Sequence, residues 1–368
     1  MSNKIDFKES MMFAGVYISV VIGSGFATGQ EIIQFFSSHG LMGIFGNIMC
    51  MVFMSYSGSK LMYVGSRVDK DTADDIFTFL GGKTIGLIFK VFMPIFLIST
   101  FVVMIAGAGA SLNQYYSIPN LMGSAIMCGI ALLSIFIGME KLLNILGNIG
   151  PVIAIVAVFV GVVTLTNNID GLATSTEAAK SFVASGDIQM SGYTWYLTGL
   201  VYTGFNLILA APFITSAGSR AKDPKSVIWG GIFGGVIFSI ATIALNLGIL
   251  SDIENIALAD IPTLFMAGEI SPILGTLFSV MLVAGIYTTA VPLLWSFCNT
   301  FAAEKTKKFN TIAAVGAVVG LVGGSILPFD ELVNLIYPAS GVLGILIIVS
   351  LMVFKKERLD QFEVKKTA

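Results

Sequence analysis

The chain has 368 residues, of which 55% are hydrophobic and 11% are charged, and its mean hydropathy is +0.89. A soluble domain carries about 25% charged residues, so this composition excludes a soluble globular protein and predicts a multi-pass membrane protein. No cluster of basic residues with interleaved aromatics occurs, which argues against nucleic-acid binding. The three cysteines lie within apolar runs without metal-ligand or redox spacing, so we expect them to be packing residues.

Ten apolar stretches of roughly 20 residues or more are long enough to cross a bilayer. They predict an all-α membrane protein with ten transmembrane helices, which we number as spans 1 to 10. The predicted spans cover residues 10–37, 41–64, 84–111, 119–138, 142–165, 192–218, 226–250, 271–301, 309–327 and 332–354. Residues 65–83, 166–191 and 251–270 form the longest polar connections, and the last of these is expected to hold a short helix at the membrane surface.

The basic residues predict how the spans are oriented. If the N-terminus is cytoplasmic, all of the 20 lysines and arginines except Lys90 and Lys180 fall in segments on the cytoplasmic side, as the positive-inside rule requires. Lys90 lies close enough to the inner surface for its side chain to reach it. We therefore expect both termini in the cytoplasm and the protein in the cell (plasma) membrane.

Span 1 carries a glycine-rich stretch in its middle. Residues 13–36 read FAGVYISVVIGSGFATGQEIIQFF, which places Gly23, Ser24 and Gly25 near the middle of the membrane. Glycine costs about 1 kcal/mol in a helix interior relative to alanine, and backbone groups freed at this depth need a protein-lined cavity. We expect the helix to unwind here and to form a binding site. Close packing of helices through small residues is the alternative explanation.

The number of spans predicts an internal symmetry. Division after span 5 places residues 1–166 in a first half and residues 167–368 in a second half of opposite orientation. The expected architecture is therefore a 5+5 inverted repeat within one integral membrane domain. Transporters built in this way bind their substrates where broken helices meet near the bilayer midplane.

Span 6 contains a second candidate interruption at the corresponding place. Thr203, Gly204, Phe205 and Asn206 lie in the middle of this span, and Pro212 follows them. Proline has no backbone N–H and frees the carbonyl group four residues earlier. We therefore predict that span 6 is broken as well, with helix packing again as the alternative.

The residues Val21-Ile22-Gly23-Ser24-Gly25-Phe26 resemble the first-helix signature of the amino acid–polyamine–organocation (APC) transporters, in which a GSG or GAG turn follows aliphatic residues. The order of helices and the two predicted breaks resemble the leucine-transporter fold. The chain length and the sequence Gly29-Gln30-Glu31 also resemble the YkvI-like bacterial membrane proteins.

This resemblance implies a substrate site between spans 1 and 6. The exposed amides of the span 1 break would bind a substrate carboxylate, because helix N-termini attract anions. Carbonyls of the span 6 break would receive the substrate ammonium group, and two aromatic side chains would cover the substrate. These residues are Ser24, Gly25 and Phe26 for the amides, Thr203 and Gly204 for the carbonyls, and Tyr202 and Phe205 for the aromatic gate, with Gly23 and Asn206 beside them.

The same resemblance implies a sodium site between spans 1 and 8, where oxygen ligands would suit a hard cation. The matching positions are Ser19, Ile22, Gly285, Thr288 and Thr289. Some proton-coupled relatives have a lysine in span 5 in place of the sodium, and span 5 of this chain has no interior lysine. The resemblance therefore favours sodium as the coupling ion. Hydrogen bonds from the threonines back to their own helix are the alternative role.

Glu31 is the only acidic residue deep within an apolar span, which makes it a functional candidate. It lies eight residues beyond Gly23, so a straight helix would place it roughly 12 Å further along, towards the outer face. Proton coupling and a structural hydrogen-bonding role are both open at this point. Gln30 and Asn113 are candidate hydrogen-bond partners.

Together these patterns predict a secondary active transporter of a small amino acid or similar zwitterion, coupled to sodium and working by alternating access. A bundle of spans 1, 2, 6 and 7 would move against a scaffold of spans 3, 4, 8 and 9. Proton-coupled transport through Glu31 and an amino-acid-sensing receptor subunit, similar to germinant receptors, remain alternatives, as does a channel. The single histidine, His39, lies in a short loop, so we expect neither an enzyme nor a cofactor beyond the ion.

Overall fold

The computed structural model describes residues 6–68, 75–137 and 149–354. These ranges contain fifteen α-helices, which we label α1 to α15 in chain order. They are α1 (Phe7–Val21), α2 (Ser24–Thr28), α3 (Gln30–Phe35), α4 (Gly43–Gly65), α5 (Ile76–Tyr116), α6 (Asn120–Ile137), α7 (Ile149–Asn167), α8 (Ser175–Ser185), α9 (Trp195–Gly218), α10 (Pro224–Ser251), α11 (Ile253–Ile256), α12 (Pro262–Ile270), α13 (Pro272–Phe301), α14 (Lys307–Ile326) and α15 (Phe329–Val353). Short 3-10 helices at Ser37–Met42 and Ile169–Ala173 follow α3 and α7.

The predicted spans coincide with helices of the structure. Spans 2, 3, 6, 7, 8, 9 and 10 correspond to α4, α5, α9, α10, α13, α14 and α15, and in the described ranges seven helices are long and apolar enough to cross a membrane. Span 4 corresponds to α6 and the described part of span 5 to α7, both shorter apolar helices; residues 142–148 of span 5 lie outside the described residues. The chain is therefore a multi-pass membrane protein. The count of ten, the inverted repeat and the orientation of the termini stay predictions.

Several helices begin at a residue whose side chain accepts a hydrogen bond from the first helical turn. Asp6 accepts from the backbone N–H of Glu9 at the start of α1, and Asp223, Ser271 and Thr306 do the same for α10, α13 and α14. Proline occupies the first turn of α10 and α13, where its missing N–H costs no helical hydrogen bond. These local signals define where the spans begin.

Two of the polar connections contain more structure than the sequence predicted. Helix α5 begins at Ile76, inside the connection 65–83, and Gly82 (φ +76°) turns the chain before the membrane-crossing part. The short helix predicted in the connection 251–270 is present as α12, and its residues Leu264 and Met266 are each 1% exposed. Its apolar side chains pack inward, so the end of the connection 251–270 belongs to the core of the protein.

Helices α4, α9 and α10 approach each other closely through small residues. A Cβ atom placed on Gly199 of α9 would overlap the carbonyl oxygen of Gly46 in α4, and one placed on Gly231 of α10 would overlap the backbone of Ser59 in α4. Small residues at these positions allow the helix backbones to touch, as is common in membrane proteins. We call the unit formed by α1, α4, α9 and α10 the bundle.

A buried chain of polar side chains strengthens the bundle. Ser37, the last residue of predicted span 1, donates a hydrogen bond to Asn246 of α10 (2.8 Å), and Asn246 donates to Asn47 of α4 (2.8 Å). Asn47 in turn donates to Thr242 of α10 (3.3 Å). Because every one of these side chains is buried, the contacts fix the relative register of spans 1, 2 and 7.

Candidate functional site

Span 1 is interrupted at the predicted position. Helix α1 ends at Val21, Gly23 is extended (φ −94°, ψ −174°), and α2 begins at Ser24. A second turn follows at Gly29, whose φ of +85° lies in the left-handed region that favours glycine. The predicted unwinding of span 1 is therefore confirmed, and the span contains two turns where we expected one.

The predicted break in span 6 is wrong. Helix α9 runs without interruption from Trp195 to Gly218 and accommodates Pro212 inside it. A Cβ atom on Gly204 would overlap the carbonyl oxygen of Gly341 in α15 and would lie 2.9 Å from the backbone nitrogen of Ile345. Gly204 therefore permits close contact between α9 and α15, which is the packing role weighed as the alternative.

The polar side chains of span 6 also support a continuous helix. The hydroxyl group of Thr203 donates to the carbonyl of Gly199 (2.7 Å), and the amide of Asn206 donates to the carbonyl of Tyr202 (2.9 Å). Because α9 is regular here, the carbonyls of Thr203 and Gly204 lie within its own hydrogen-bond pattern. The physical basis for their predicted role as free acceptors is missing in this structure.

Glu31 reaches back to the break in span 1 instead of pointing towards the outer face. Its side chain is 4% exposed, and its Oε1 occupies the space that a Cβ on Gly25 would take. Its Oε2 accepts a hydrogen bond from the hydroxyl group of Tyr202 at 2.8 Å. The straight-helix placement is wrong because Gly29 turns the chain between the break and Glu31. The carboxylate thus connects the break to α9.

Tyr202 and Phe26 belong to a buried aromatic cluster. The ring of Tyr202 lies 5.1 Å from those of Phe35 and Phe36 and stacks on Phe238 at 6.1 Å. Phe26 is fully buried, with its ring 5.6 Å from that of Phe238. This cluster holds the Tyr202 hydroxyl group in place beside Glu31, a positioning role in place of the gate that the sequence suggested.

The two predicted partners of Glu31 bond to other groups. Gln30 donates to the carbonyl of Asp260 (3.1 Å), and Asn113 donates to the carbonyl of Ile118 (3.0 Å). Gln114, which follows Asn113, both accepts from the N–H of Ile261 (2.7 Å) and donates to its carbonyl (3.0 Å). These glutamines therefore hold the segment that leads into α12.

Helix α12 is seated on the second turn of span 1. Thr263 at its start donates a hydrogen bond to the carbonyl of Ala27. A Cβ on Gly29 would lie 3.0 Å from side-chain atoms of both Pro262 and Thr263. The left-handed turn and the absence of a side chain at Gly29 are therefore both required for this contact.

A cavity of about 40 Å³ lies beside the break, between span 1 and helices α5, α9, α13 and α15. It is lined by Val20, Val21, Gly23, Gly25, Glu31, Phe96, Thr100, Met104, Phe205, Asn206, Leu209, Thr289 and Tyr337. One water molecule needs at least about 10–15 Å³ of such space. The cavity in this conformation therefore has room for water.

Thr100 is a polar residue of the cavity that our sequence analysis missed. Its side chain is 4% exposed, and its hydroxyl group has no hydrogen-bond partner within the described part of the chain. A buried polar group without a partner is costly, and such groups in native proteins usually bind water or a ligand. In the sequence Thr100 stands beside Ser99 in an apolar span, and no motif distinguishes it.

Aromatic rings cover one side of the cavity. Phe205 of α9 stacks on Tyr337 of α15 with ring centroids 4.1 Å apart, and Phe96 of α5 lies 6.2 Å from Phe205. The aromatic cover predicted for Phe205 is thus present, but its companions come from spans 3 and 10. No local pattern in the sequence pairs these distant positions.

The predicted sodium ligands are brought together in part. Thr289 lines the cavity, and a Cβ on Gly23 would lie 3.9 Å from its methyl group. Both threonines bond back to their own helix, since Thr288 and Thr289 donate to the carbonyl of Gly285 at 2.8 and 3.1 Å. A Cβ on Gly285 would meet Ile153 of α7, so this glycine faces a different neighbour.

The structure also shows the surroundings of the two predicted sodium ligands in span 1, Ser19 and Ile22. Ser19 donates from its hydroxyl group to the carbonyl of Gly15 (2.8 Å), and Ile22 is buried at the end of α1, with its N–H bonded to the carbonyl of Ile18. The described residues that line the cavity include neither of them. A sodium site built from all five residues stays a prediction.

Similar proteins extend over nearly the whole chain. No family model matches it. The membrane protein YkvI of Bacillus subtilis (strain 168) is 25% identical over 354 residues, which cover 95% of this chain and 97% of YkvI. YyaD from the same strain is 23% identical over 349 residues, with the same coverage of both chains. The resemblance to YkvI-like membrane proteins is confirmed.

Solved structures show the same fold. MhsT, determined in complex with L-phenylalanine, superposes with a TM-score of 0.60 over 99% of both chains at 15% identity. A mutant of the Eremococcus coleocola manganese transporter superposes with a TM-score of 0.52 at 15% identity, covering 94% of this chain and 78% of that one. Together with the interrupted first span, these similarities show that the chain has a leucine-transporter-type fold.

Proposed function

We propose that this protein is a secondary transporter that moves a small ammonium-bearing solute across the membrane by alternating access. The observation that supports this most is the cavity beside the span 1 break, whose lining residues include the buried acid Glu31 and the polar residue Thr100. In transporters with discontinuous helices, substrates bind at such breaks near the bilayer midplane. The class of solute expected from the sequence is a small amino acid or a similar zwitterion.

The bundle and the cavity together suggest how access would alternate. Helices α1, α4, α9 and α10 are joined by backbone contacts and buried polar bonds, whereas the cavity lies where the span 1 break meets α5 and α13. A rigid unit beside a gap can move without breaking its own contacts. Movement of the bundle away from α5 and α13 would widen the cavity and admit the solute.

A two-step experiment tests the function. Purified protein is first screened by thermal shift against the twenty amino acids and simple amines, with and without sodium, and the stabilising compounds are then tested for counterflow in proteoliposomes. Saturable counterflow is the expected result. Binding without flux would indicate a receptor, flux without saturation would indicate a channel, and neither binding nor flux would contradict the proposal.

Two coupling ions are candidates, and each is favoured by one observation. Sodium is favoured by Thr289, whose side chain lines the cavity next to the span 1 break. A proton is favoured by Glu31, a buried carboxylate in the same cavity whose titratable neighbours are Tyr202 and Tyr337. Sodium is the ion expected from the sequence, and proton coupling is the second candidate.

Substitutions separate the two ions. Replacing Thr288 and Thr289 together by alanine is expected to abolish the dependence of transport on a sodium gradient. Glu31→Gln is expected to abolish the dependence on a proton gradient if protons are the coupling ion. Unchanged sodium dependence in the double alanine variant would contradict the sodium placement.

A further inference from the structure

We infer that the cavity selects a solute with an ammonium group and no carboxylate, because Glu31 itself occupies the position at the helix break where a substrate carboxylate was expected. The inference depends on the proposed transport function and narrows its substrate class from zwitterions to organic cations. It concerns the cavity as described, with Glu31 bonded to Tyr202.

The position of the carboxylate is the first argument. The amides of Ser24, Gly25 and Phe26 were expected to receive the carboxylate of an amino acid. In the structure, Oε1 of Glu31 fills the space directly over Gly25, and its Cδ and Cγ follow at 2.5 and 2.9 Å from a Cβ position on that glycine. A second carboxylate cannot occupy the same space unless Glu31 moves away.

The charge of the lining is the second argument. The described residues that line the cavity include the acid Glu31 but no lysine, arginine or histidine. When Glu31 is ionised, a carboxylate on the solute would therefore lie close to a like charge, with no basic side chain among the described lining residues to balance either of them. Like charges at short range in a buried site strongly disfavour each other. An ammonium group in the same place would instead pair with Glu31.

The remaining lining groups suit an ammonium ion. An –NH₃⁺ group has three donors and no acceptor. The polar residues that line the cavity are Glu31, Thr100 and Asn206. The hydroxyl group of Thr100 has no hydrogen-bond partner within the described residues, and the NH₂ group of Asn206 is bonded to the carbonyl of Tyr202, which leaves its side-chain oxygen as an acceptor. The aromatic residues Phe205 and Tyr337 also line the cavity, and aromatic rings attract cations.

Matched pairs of solutes test the inference, since each pair differs by one carboxylate. Binding to the wild-type protein is measured by thermal shift and isothermal calorimetry for methylamine and glycine, ethylamine and alanine, isobutylamine and valine, and phenethylamine and phenylalanine. In at least one pair, the amine is expected to bind at least tenfold more tightly than the amino acid. Amino acids that bind as tightly as, or more tightly than, their amines in every pair would overturn the inference.

Two substitutions test whether Glu31 is responsible for the preference for amines. Glu31→Gln is expected to weaken binding of the preferred amine at least tenfold and to leave its amino acid unchanged or bound more tightly. Glu269→Gln is the matched control, because Glu269 is an exposed acid of α12. Unchanged amine affinity in Glu31→Gln overturns the inference. If that variant does not fold, the wild-type pairs alone decide.

The two proposals fail in different ways. Saturable counterflow of amino acids without binding of any amine would overturn the inference and leave the transport function standing. Neither binding nor counterflow of either class would overturn both. Saturable binding of amines without any counterflow would support the ligand class and contradict transport.

Discussion

Spans 1 and 6 carry the same sequence feature and use it in opposite ways. Each has glycine near its centre, with Gly23 and Gly25 in the first and Gly204 in the sixth. Span 1 is interrupted and bends twice, whereas α9 is continuous. The difference shows that a central glycine permits a break but does not cause one.

The neighbours of each glycine explain the difference. Gly25 faces the side chain of Glu31, whose carboxylate group lies against the break. Gly204 faces backbone atoms of Gly341 and Gly344 in α15, where unwinding of α9 would separate two touching helices. At Gly204, close contact with the main chain of α15 therefore accompanies a continuous helix. Four substitutions test this comparison, and we order them by the expected loss of stability.

Gly204→Ala is expected to have the largest effect on stability. The new methyl group would overlap the main chain of α15, which cannot rotate away, and overpacking of this kind costs about 1–3 kcal/mol. The melting temperature in detergent measures the loss. Gly15→Ala is the control, because a Cβ there has no neighbour within 4 Å and alanine favours the helix. An equal melting temperature for both variants would contradict the packing role.

Gly29→Ala is expected to cost somewhat less. A non-glycine residue in the left-handed region costs about 1–2 kcal/mol, and the methyl group would press on Pro262 and Thr263. Gly186→Ala has nearly the same φ (+86°) with no neighbour within 4 Å, so it reports the backbone strain alone. The additional loss in Gly29→Ala measures the contact with α12, and the absence of any additional loss would argue against that contact.

Gly25→Ala is expected to leave the fold intact and to disturb the site. The overlapping group is the side chain of Glu31, which can rotate away and give up its bond to Tyr202, and a hydrogen bond contributes about 1 kcal/mol. The melting temperature is expected to fall modestly, while affinity for the preferred solute falls at least tenfold in calorimetry. Unchanged affinity would mean that Glu31 over Gly25 is not part of the binding site.

Pro212→Ala is expected to have the smallest effect. Pro212 lies inside a continuous helix, so alanine would restore an ordinary helical hydrogen bond without closing any break. We expect a melting temperature that is equal or slightly higher, and unchanged solute affinity. A large loss of affinity in a well-folded Pro212→Ala variant would show that an irregular span 6 is needed for binding, and would weaken the comparison.

The sequence predicted most of the fold because apolar length and helix-start residues are local signals. It predicted the span 1 break because two glycines two positions apart weaken a helix whatever surrounds it. It did not predict that span 6 forms a continuous helix. The packing role of Gly204 depends on its contacts with Gly341 and Gly344, which are far away in the chain.

The site was predicted in part for a similar reason. Glu31 stood out as an acid in an apolar span, and Phe205 and Asn206 were placed correctly beside the cavity. The position of Glu31 depended on the turn at Gly29, which a straight-helix estimate ignores. Thr100 and Tyr337 come from spans 3 and 10. They lie beside the break in the folded protein but far from it in the sequence, so no local pattern predicts their position.

The contact at Gly204 also determines which helices would move together during transport. Main-chain atoms of α9 and α15 meet there without side chains between them to act as spacers, so neither helix can tilt alone without opening a void. If α9 swings with the bundle, α15 has to swing with it. Span 10 would then move together with the bundle, and a crosslink between span 10 and span 9 would block transport.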